Sequence, residues 1–483
     1  MRKIYTILLF ALSLSFLACN ESGKQIDSLD LPPVYPDYTD ISIPPNIAPL
    51  NFGLRNNPAR IKAVIEGSSK RIVLMGNNLI QFSVKSWKSL LKAEKGNKII
   101  VKVSAKIDGK WVNYKPFYWA VVEEEIDPYL TYRLIEPGYE VWNKLSLKER
   151  NLENFAERTL ADNNLVDGSC MNCHISAGGN PKFSFFHIRG KNGGTVVNRN
   201  GKLRKIDTKT GSMYASATYG NLHPNGRFGV FSTNLVIPEF HTLAEKKLEV
   251  YDRASDLIVI DFENNRIITS DAVSGEGYLE TFPAFSANGN RIYFCRAKNM
   301  VLPDSIEKLQ YLLCKIDFDQ SSGSFGNKID TVFLAQDSLK SISFPKPSPD
   351  GHFLMYAVSD YGTFPIWHRE TDLHLLDLET GEISEMHNVN SDRSDTYHSW
   401  SSNSRWFVFA SKRDDGLYGK PYFCYLDNAN RLHKPFVLPQ RDPFFYDYTL
   451  KSFNIPELST GQMPYGAREI ERIYWNEHEE NMN

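Results

Sequence analysis

The stretch Phe344-Pro-Lys-Pro-Ser-Pro-Asp-Gly-His-Phe-Leu-Met-Tyr356 decides the fold. It reads as a strand, a turn made by Asp-Gly, and a very apolar strand. Glycine in such a turn supplies the positive φ that a tight hairpin needs. Three further copies are Leu222-His-Pro-Asn-Gly-Arg-Phe-Gly-Val-Phe231, Phe282-Pro-Ala-Phe-Ser-Ala-Asn-Gly-Asn-Arg-Ile-Tyr-Phe294 and Tyr397-His-Ser-Trp-Ser-Ser-Asn-Ser-Arg-Trp-Phe-Val-Phe409. Their turn residues, Gly226, Gly289, Gly351 and Ser404, lie 63, 62 and 53 positions apart. Each unit also carries a later strand ending in an acid: Asp256–Asp261, Leu312–Asp317, Asp372–Asp377 and Pro421–Asp427. Strand–hairpin–strand units at a period of about 40–60 residues predict propeller blades. A long β-sandwich or β-helix does not need such a repeated four-strand unit. Further strands at 129–137 and 183–207, and a closing segment at Phe444–Ile455, bring the expectation to five or six blades, six favoured.

Working outward, the 483 residues allow about two to four domains. Apolar residues at 42% and aromatics at 13% supply a sizeable core and exclude disorder for most of the chain. Lys+Arg 55 against Asp+Glu 57 leaves no basic excess for nucleic acid. Six cysteines are too few for a disulfide scaffold. Residues 51–128 alternate in short apolar runs, Ile61–Ile65, Arg71–Met75, Lys98–Lys106 and Trp111–Val122, and predict a small β-sandwich-like domain. One helix interrupts it, capped by Ser83, with Val84, Trp87, Leu90 and Leu91 on one face and Gly96 at its end. The capping-box pattern Ser146-Leu-Lys-Glu149 predicts a second helix to about Leu160. Residues 459–483 read as a C-terminal tail.

The N-terminus reads as an address. Arg2 and Lys3 precede an apolar run, Ile4 to Ala18, too short for a bilayer span but right for an export signal. The sequence Ser15-Phe16-Leu17-Ala18-Cys19 resembles a bacterial lipobox, with Phe16 where Leu is typical. The rival readings are an ordinary signal with a chance cysteine, or an uncleaved anchor. The lipobox reading removes residues 1–18, lipidates Cys19 and takes the formal charge from −2 to −4 by loss of Arg2 and Lys3. Residues 19–50 then read as a flexible tether to the membrane.

The one sharp chemical motif is Cys170-Met171-Asn172-Cys173-His174. With six cysteines and 11 histidines in the chain, a chance occurrence is expected on the order of 0.002 times. Two thiols at this spacing can each form a thioether to one haem vinyl group, with His174 as the axial ligand of the iron. Covalent haem attachment occurs on the exported side of bacterial membranes, in keeping with the signal. A thioredoxin-like pair needs a βαβ unit, and none is visible. A zinc site needs a second ligand pair, and no other Cys-X-X-Cys exists. A structural disulfide is the remaining alternative. The flanks, Asp167-Gly168-Ser169 and Ile175–Pro181, predict a loop insertion within 129–209, against which the propeller would bury the haem. His187 is the first candidate for the distal ligand, with His241 and Met213 next; an open sixth position is the alternative.

The hairpin repeats resemble the blades of TolB-type propellers, over about residues 210–458. The whole constellation resembles a family of Bacteroidetes lipoproteins in which a Cys-X-X-Cys-His haem motif precedes a TolB-like propeller. That resemblance rests on Tyr132–Trp142, Cys170–His174, Phe186–Thr195, Tyr361–His368, Tyr397–Ser401 and Lys451–Pro456. It implies a haem c carrier at the outer membrane, facing the periplasm or the cell surface.

The expectation is therefore electron transfer with a protein partner. One rival is a TolB-like interaction scaffold. The other is a propeller enzyme or binder acting on surface polysaccharide, whose residues no motif singles out. Gly-X-Ser-X-Gly, His-Glu-X-X-His, P-loop and Rossmann patterns are absent from the sequence. Cys295, Cys314 and Cys424 read as buried thiols in blades, with a Cys295–Cys314 pairing as the alternative.

Overall fold

The structure is a computed structural model, and it describes residues 25–137, 144–211, 213–240, 248–332, 334, 337, 339–476 and 480–482. The signal segment 1–18, the lipidation candidate Cys19 and the distal-ligand candidate His241 lie outside the described residues.

The strands form six blades of four antiparallel strands each, one of them extended by a fifth, parallel strand, and the fold is mainly β. Blade 1 holds Tyr129–Ile135, Leu145–Asn151 and Glu157–Asp162, and its innermost strand is the C-terminal Ser452–Ser459. That strand pairs antiparallel with Tyr129–Ile135, so the two ends of the propeller close the ring within one sheet. Blade 2 comprises Met171–Ala177, Asn180–Ile188, Gly194–Arg199 and Lys202–Asp207. Blade 3 comprises Gly220–Leu222, Phe228–Phe240, Leu248–Asp261 and Arg266–Ile268. Blade 4 runs Tyr278–Phe285, Arg291–Lys298, Leu312–Asp319 and Ser324–Thr331. Blade 5 runs Ser341–Pro347, Phe353–Ser359, Asp372–Asp377 and Ile383–Ser384. Blade 6 runs Asp395–Trp400, Trp406–Ser411, Lys420–Tyr425 and Phe436–Val437. The hairpin turns have the expected backbone: φ is 74° at Gly226, 73° at Gly289 and 77° at Gly351. Ser404 adopts φ 60° without being glycine, and its hydroxyl accepts the Asp350 N–H at 3.0 Å.

The N-terminal region departs from a sandwich. It is one seven-stranded mixed sheet with a separate three-stranded sheet. Two parallel pairings, Gln25–Asp27 with Lys110–Asn113 and Ile41–Ile43 with Phe117–Val121, make it mixed. The helix Val84–Ala93 forms as predicted: the Ser83 side chain accepts the Ser86 N–H, and Trp87, Leu90 and Leu91 are buried. Its Trp87 indole donates to the Ile47 carbonyl at 2.9 Å. The tether expectation is corrected for residues 25–50. Tyr38, Ile41, Ile43, Ile47 and Leu50 are buried in the same core, because they complete the apolar face of this sheet.

Two other expectations are corrected, while Cys295 and Cys314 are buried thiols in blades as expected and their alternative pairing does not form. Residues 146–160 form strands, since Leu145 and Leu147 alternate into the core and the Glu149 carboxylate is held by Arg158 at 2.5 Å and the Met463 N–H at 2.6 Å. The C-terminal tail is folded in part: the helix Ala467–Tyr474 buries Ile470 and Tyr474, and Glu480–Asn481 pairs parallel with Lys202–Asp207. Cys295 and Cys314 are both free thiols. They lie on neighbouring strands, but Cys295 is paired with Leu313 and Cys314 with Phe294, and the two side chains belong to different core clusters.

Candidate functional site in the central channel

The Cys-X-X-Cys-His segment lies on a strand and is not a loop insertion. Met171–Ala177 is the innermost strand of blade 2. Its pairing with Asn180–Ile188 is interrupted between Asn172 and Ile175 by a bulge at Cys173 and His174, where Cys173 has φ 55°. The same interruption recurs on the inner strands of blades 4, 5, 6 and 1, with positive φ at Phe282, Phe344, Tyr397 and Ile455. Around the ring the triplets are Asn172-Cys173-His174, Thr218-Tyr219-Gly220, Thr281-Phe282-Pro283, Ser343-Phe344-Pro345, Thr396-Tyr397-His398 and Asn454-Ile455-Pro456. Three positions earlier stands Cys170 in blade 2, and Ser216, Leu279, Ser341, Ser394 and Ser452 in the others. The motif is thus blade 2's copy of a six-fold element: a small polar residue, an apolar residue at the bulge, then His, Pro or Gly. Sequence reading missed this register because only three positions carry it, and they precede the Asn/Asp-Gly turn that marks a blade.

These five bulges, with Tyr219 just ahead of the inner strand of blade 3, turn their side chains into one central cavity lined by Cys173, Tyr219, Phe282, Phe344, Tyr397 and Ile455, one from each blade. Four of these rings pack on one another, with centroids 4.8 Å apart for Tyr219–Phe282, 4.0 Å for Phe282–Phe344 and 5.1 Å for Phe344–Tyr397. His174, Lys346, His398 and Glu457 line the same cavity. Burial pushes the His174 imidazole down to about 3, and the charges of Arg133 and Lys346 add to the effect. His398 is pushed down to about 3 by burial. Burial pushes the Cys173 thiol up to about 11, against the pull of Arg189 and Arg133. At neutral pH the pair is therefore a neutral thiol beside a neutral imidazole. That is the reverse of the thiolate–imidazolium pair that nucleophilic cysteine catalysis requires. Glu457 is raised to about 7 by burial despite Lys346, and its Oε2 accepts the Ser176 N–H at 3.0 Å.

Nε2 of His174 and Nδ1 of His398 are buried ring nitrogens that make no well-directed hydrogen bond, with the backbone of Thr131 and Ile455 near the first imidazole and that of Phe344 near the second. A buried, neutral imidazole with such a nitrogen is a donor suited to haem iron, and it adjoins the Cys173 thiol. Cys170 is half-buried beside the cluster of Leu145, Leu147 and Met171. Cys173 and His174 line the cavity and Cys170 does not, so a haem held by both thiols would require Cys170 to turn from that cluster toward the channel. The packed aromatic rings supply apolar contact, and they must part to admit a macrocycle. His187, the first distal-ligand candidate, has both its nitrogens engaged: Nδ1 with Thr195 Oγ1 and Nε2 with the Thr218 carbonyl, each at 2.8 Å. Met213 is likewise occupied, its sulfur accepting the Thr210 hydroxyl at 3.2 Å.

No family model matches the chain, and no curated protein matches it. Among solved structures it is similar to a puromycin-hydrolyzing peptidase of Mycobacterium tuberculosis, at 14% identity over 56% of this chain and 38% of that one, with a TM-score of 0.35. Prolyl oligopeptidase B of Galerina marginata is similar at 12% identity over 62% of this chain and 40% of that one, with a TM-score of 0.36. A DUF4784 family protein of Bacteroides caccae is similar at 8% identity over 74% of this chain and 96% of that one, with a TM-score of 0.28. The chain spans about two fifths of the length of the two peptidases it matches. What stands on the strand pairing itself is a mainly β chain with six blades of four antiparallel strands in a ring and a mixed N-terminal sheet.

Proposed function

We propose that this propeller is an exported, membrane-tethered electron carrier with one covalent haem c at its central channel. The observation that carries the reading is the buried Nε2 of His174, without a well-directed hydrogen bond, beside the Cys173 thiol within a Cys-X-X-Cys-His segment. Cys170 and Cys173 would hold the haem edge and His174 its iron. When bound, the haem iron would supply a one-electron couple. The chain's own contribution is to keep His174 neutral over the working pH range and to surround it with Tyr219, Phe282, Phe344 and Tyr397, which exclude water. Tethering through Cys19 would hold the carrier at the outer membrane, beside a protein partner that takes or gives the electron.

A second reading is favoured by a specific observation. Cys170, Cys173 and His174 occupy positions that the other blades fill with Ser or Leu, an apolar residue, and His, Pro or Gly. On that reading the segment only closes blade 2, and the propeller is a protein-binding scaffold. One experiment separates the two. The full chain is expressed with its signal in a host with a haem-maturation system and assayed by pyridine haemochrome. One c-type haem per chain, absent from Cys173→Ala, is the expected result. A folded, haem-free wild type would leave the scaffold reading.

A further inference from the structure

Among the described residues, most buried side-chain polar atoms without a well-directed partner gather in two places. One is the channel around His174 and His398. The other lies between blades 3 and 4, under the blade 5 loop that contains Thr363. There Asn234 Oδ1, Asp252 Oδ1 and Glu280 Oε2 are acceptors with no donor, the Ser255 hydroxyl is unpartnered, and the hydroxyls of Tyr311 and Thr363 meet only each other. None of the six residues is more than 4% exposed. Buried polar groups are almost always satisfied, so a concentration of orphaned oxygens calls for an occupant.

The six belong together. Asn234 donates through Nδ2 both to Asp252 Oδ2 at 2.9 Å and to Thr281 Oγ1 at 3.0 Å, bridging blade 3 to the residue beside Glu280. Tyr311 lies within electrostatic reach of both Asp252 and Glu280. The Thr363 loop is pinned to it: the Gly362 N–H donates to the Leu309 carbonyl at 2.8 Å, and Ser341 Oγ donates to the Gly362 carbonyl at 2.5 Å while accepting the Tyr311 N–H at 3.0 Å. Donors are scarce. The neighbouring cationic donor, Arg296, has its Nε 2.9 Å from Glu280 Oε1 but makes no well-directed hydrogen bond there. Asp256 adds further negative field at Glu280.

We propose that this pocket binds a hard divalent cation, Ca2+, through oxygens of Asp252, Asn234 and Glu280 with hydroxyls of Tyr311 and Thr363. Calcium takes six to eight oxygens in irregular geometry, mixing carboxylate, amide carbonyl and water. Magnesium demands a near-octahedral set and dehydrates reluctantly, which suits a pocket assembled from three blades less well. Such a cation would cross-link blades 3, 4 and 5 at one end of the channel. The site is independent of the haem reading.

The test uses the full chain stripped with EDTA and titrated with CaCl2 by calorimetry, with Tb3+ luminescence excited through Tyr311 as a second readout. Wild type is expected to bind one Ca2+ per chain and to melt at a higher temperature with it. Asp252→Asn, which keeps the side chain's shape, should weaken binding at least tenfold and abolish the thermal shift. Glu280→Gln serves the same purpose if the first variant fails to fold. No heat, no luminescence and no thermal shift in wild type would overturn the proposal and leave a water-filled pocket. Equal binding in wild type and both variants would overturn it as well.

Discussion

At Glu457 a buried carboxyl receives one backbone N–H, from Ser176, and faces the buried amine of Lys346. Burial holds its ionisation at about 7 in the folded chain, above the ordinary glutamate range of about 4.5, so the folded state keeps a proton that the unfolded state releases. The sign follows: stability is greatest below the unfolded value and falls as pH rises toward 7, then levels. For this one group the fall is on the order of 3 kcal/mol. Glu457→Gln should remove that fall, flattening the difference in urea midpoint between pH 4.5 and 8 relative to wild type. An unchanged profile would mean that Lys346 fully compensates the charge. Removing the cation should act the other way: Lys346→Met is expected to deepen the fall and shift it to higher pH.

Among the elements, the long hairpin Phe228–Phe240 with Leu248–Asp261 does more than fill blade 3. Glu249 on it reaches the blade 5 loop, where His368 Nε2 meets Glu249 Oε1 at 3.3 Å and Nδ1 meets Glu370 Oε1 at 3.1 Å. Tyr361 donates to Glu249 Oε2 at 3.0 Å, and Phe364 packs on Tyr219 of the channel ring. This fastens the loop over one end of the channel. Burial opposes the charge on His368, but the two carboxylates prevail and raise it to about 9. Its stabilisation is therefore complete below 6.5 and lost as pH rises through 9, a span worth on the order of 3 kcal/mol. Urea denaturation at pH 6, 8 and 10 should show that loss in wild type and not in His368→Gln. Equal slopes would assign the fastening to Tyr361 alone. The sequence exposes some elements and hides others for physical reasons. Blades 4 and 5 are legible because their Asn/Asp-Gly turns demand positive φ, and the helix at Val84–Ala93 because its cap and apolar face agree. The strand at Leu145–Asn151 is hidden because Ser146–Glu149 satisfies a capping pattern while Glu149 is recruited by Arg158 and Met463, distant in sequence. The Cys170–His174 segment stands out in the sequence by its spacing alone. Its place on an inner strand does not, since a bulge and a cavity shared by six blades are tertiary facts. His398 and Glu457 entered the site for the same reason.

At the scale of the whole molecule, the N-terminal sheet and the propeller share one core. Trp87, Trp119 and Leu91 fall in the same buried cluster as Trp406, Phe407 and Phe453. Polar contacts reinforce the join: the Trp406 indole donates to the Glu124 carbonyl at 2.9 Å, and Asp127 accepts the Ser402 N–H at 2.8 Å. Ring closure is equally non-local, since Ser452–Ser459 must return to Tyr129–Ile135 across more than 300 residues of chain. With such a shared core, the two parts should unfold in one cooperative transition instead of two. Trp406→Ala tests this. Its ring is fully buried and lies 4.9 Å from that of Tyr425, so truncation should cost about 3–5 kcal/mol through the cavity it leaves. Hydrogen exchange followed by peptide mass then reports on both parts at once. The amides of Lys98–Ile107 in the N-terminal sheet and of Trp406–Ser411 in blade 6 should lose the same protection free energy in the variant. If Lys98–Ile107 kept its wild-type protection while blade 6 opened, the N-terminal sheet would be an independent folding unit, and the shared core would stabilise only the propeller.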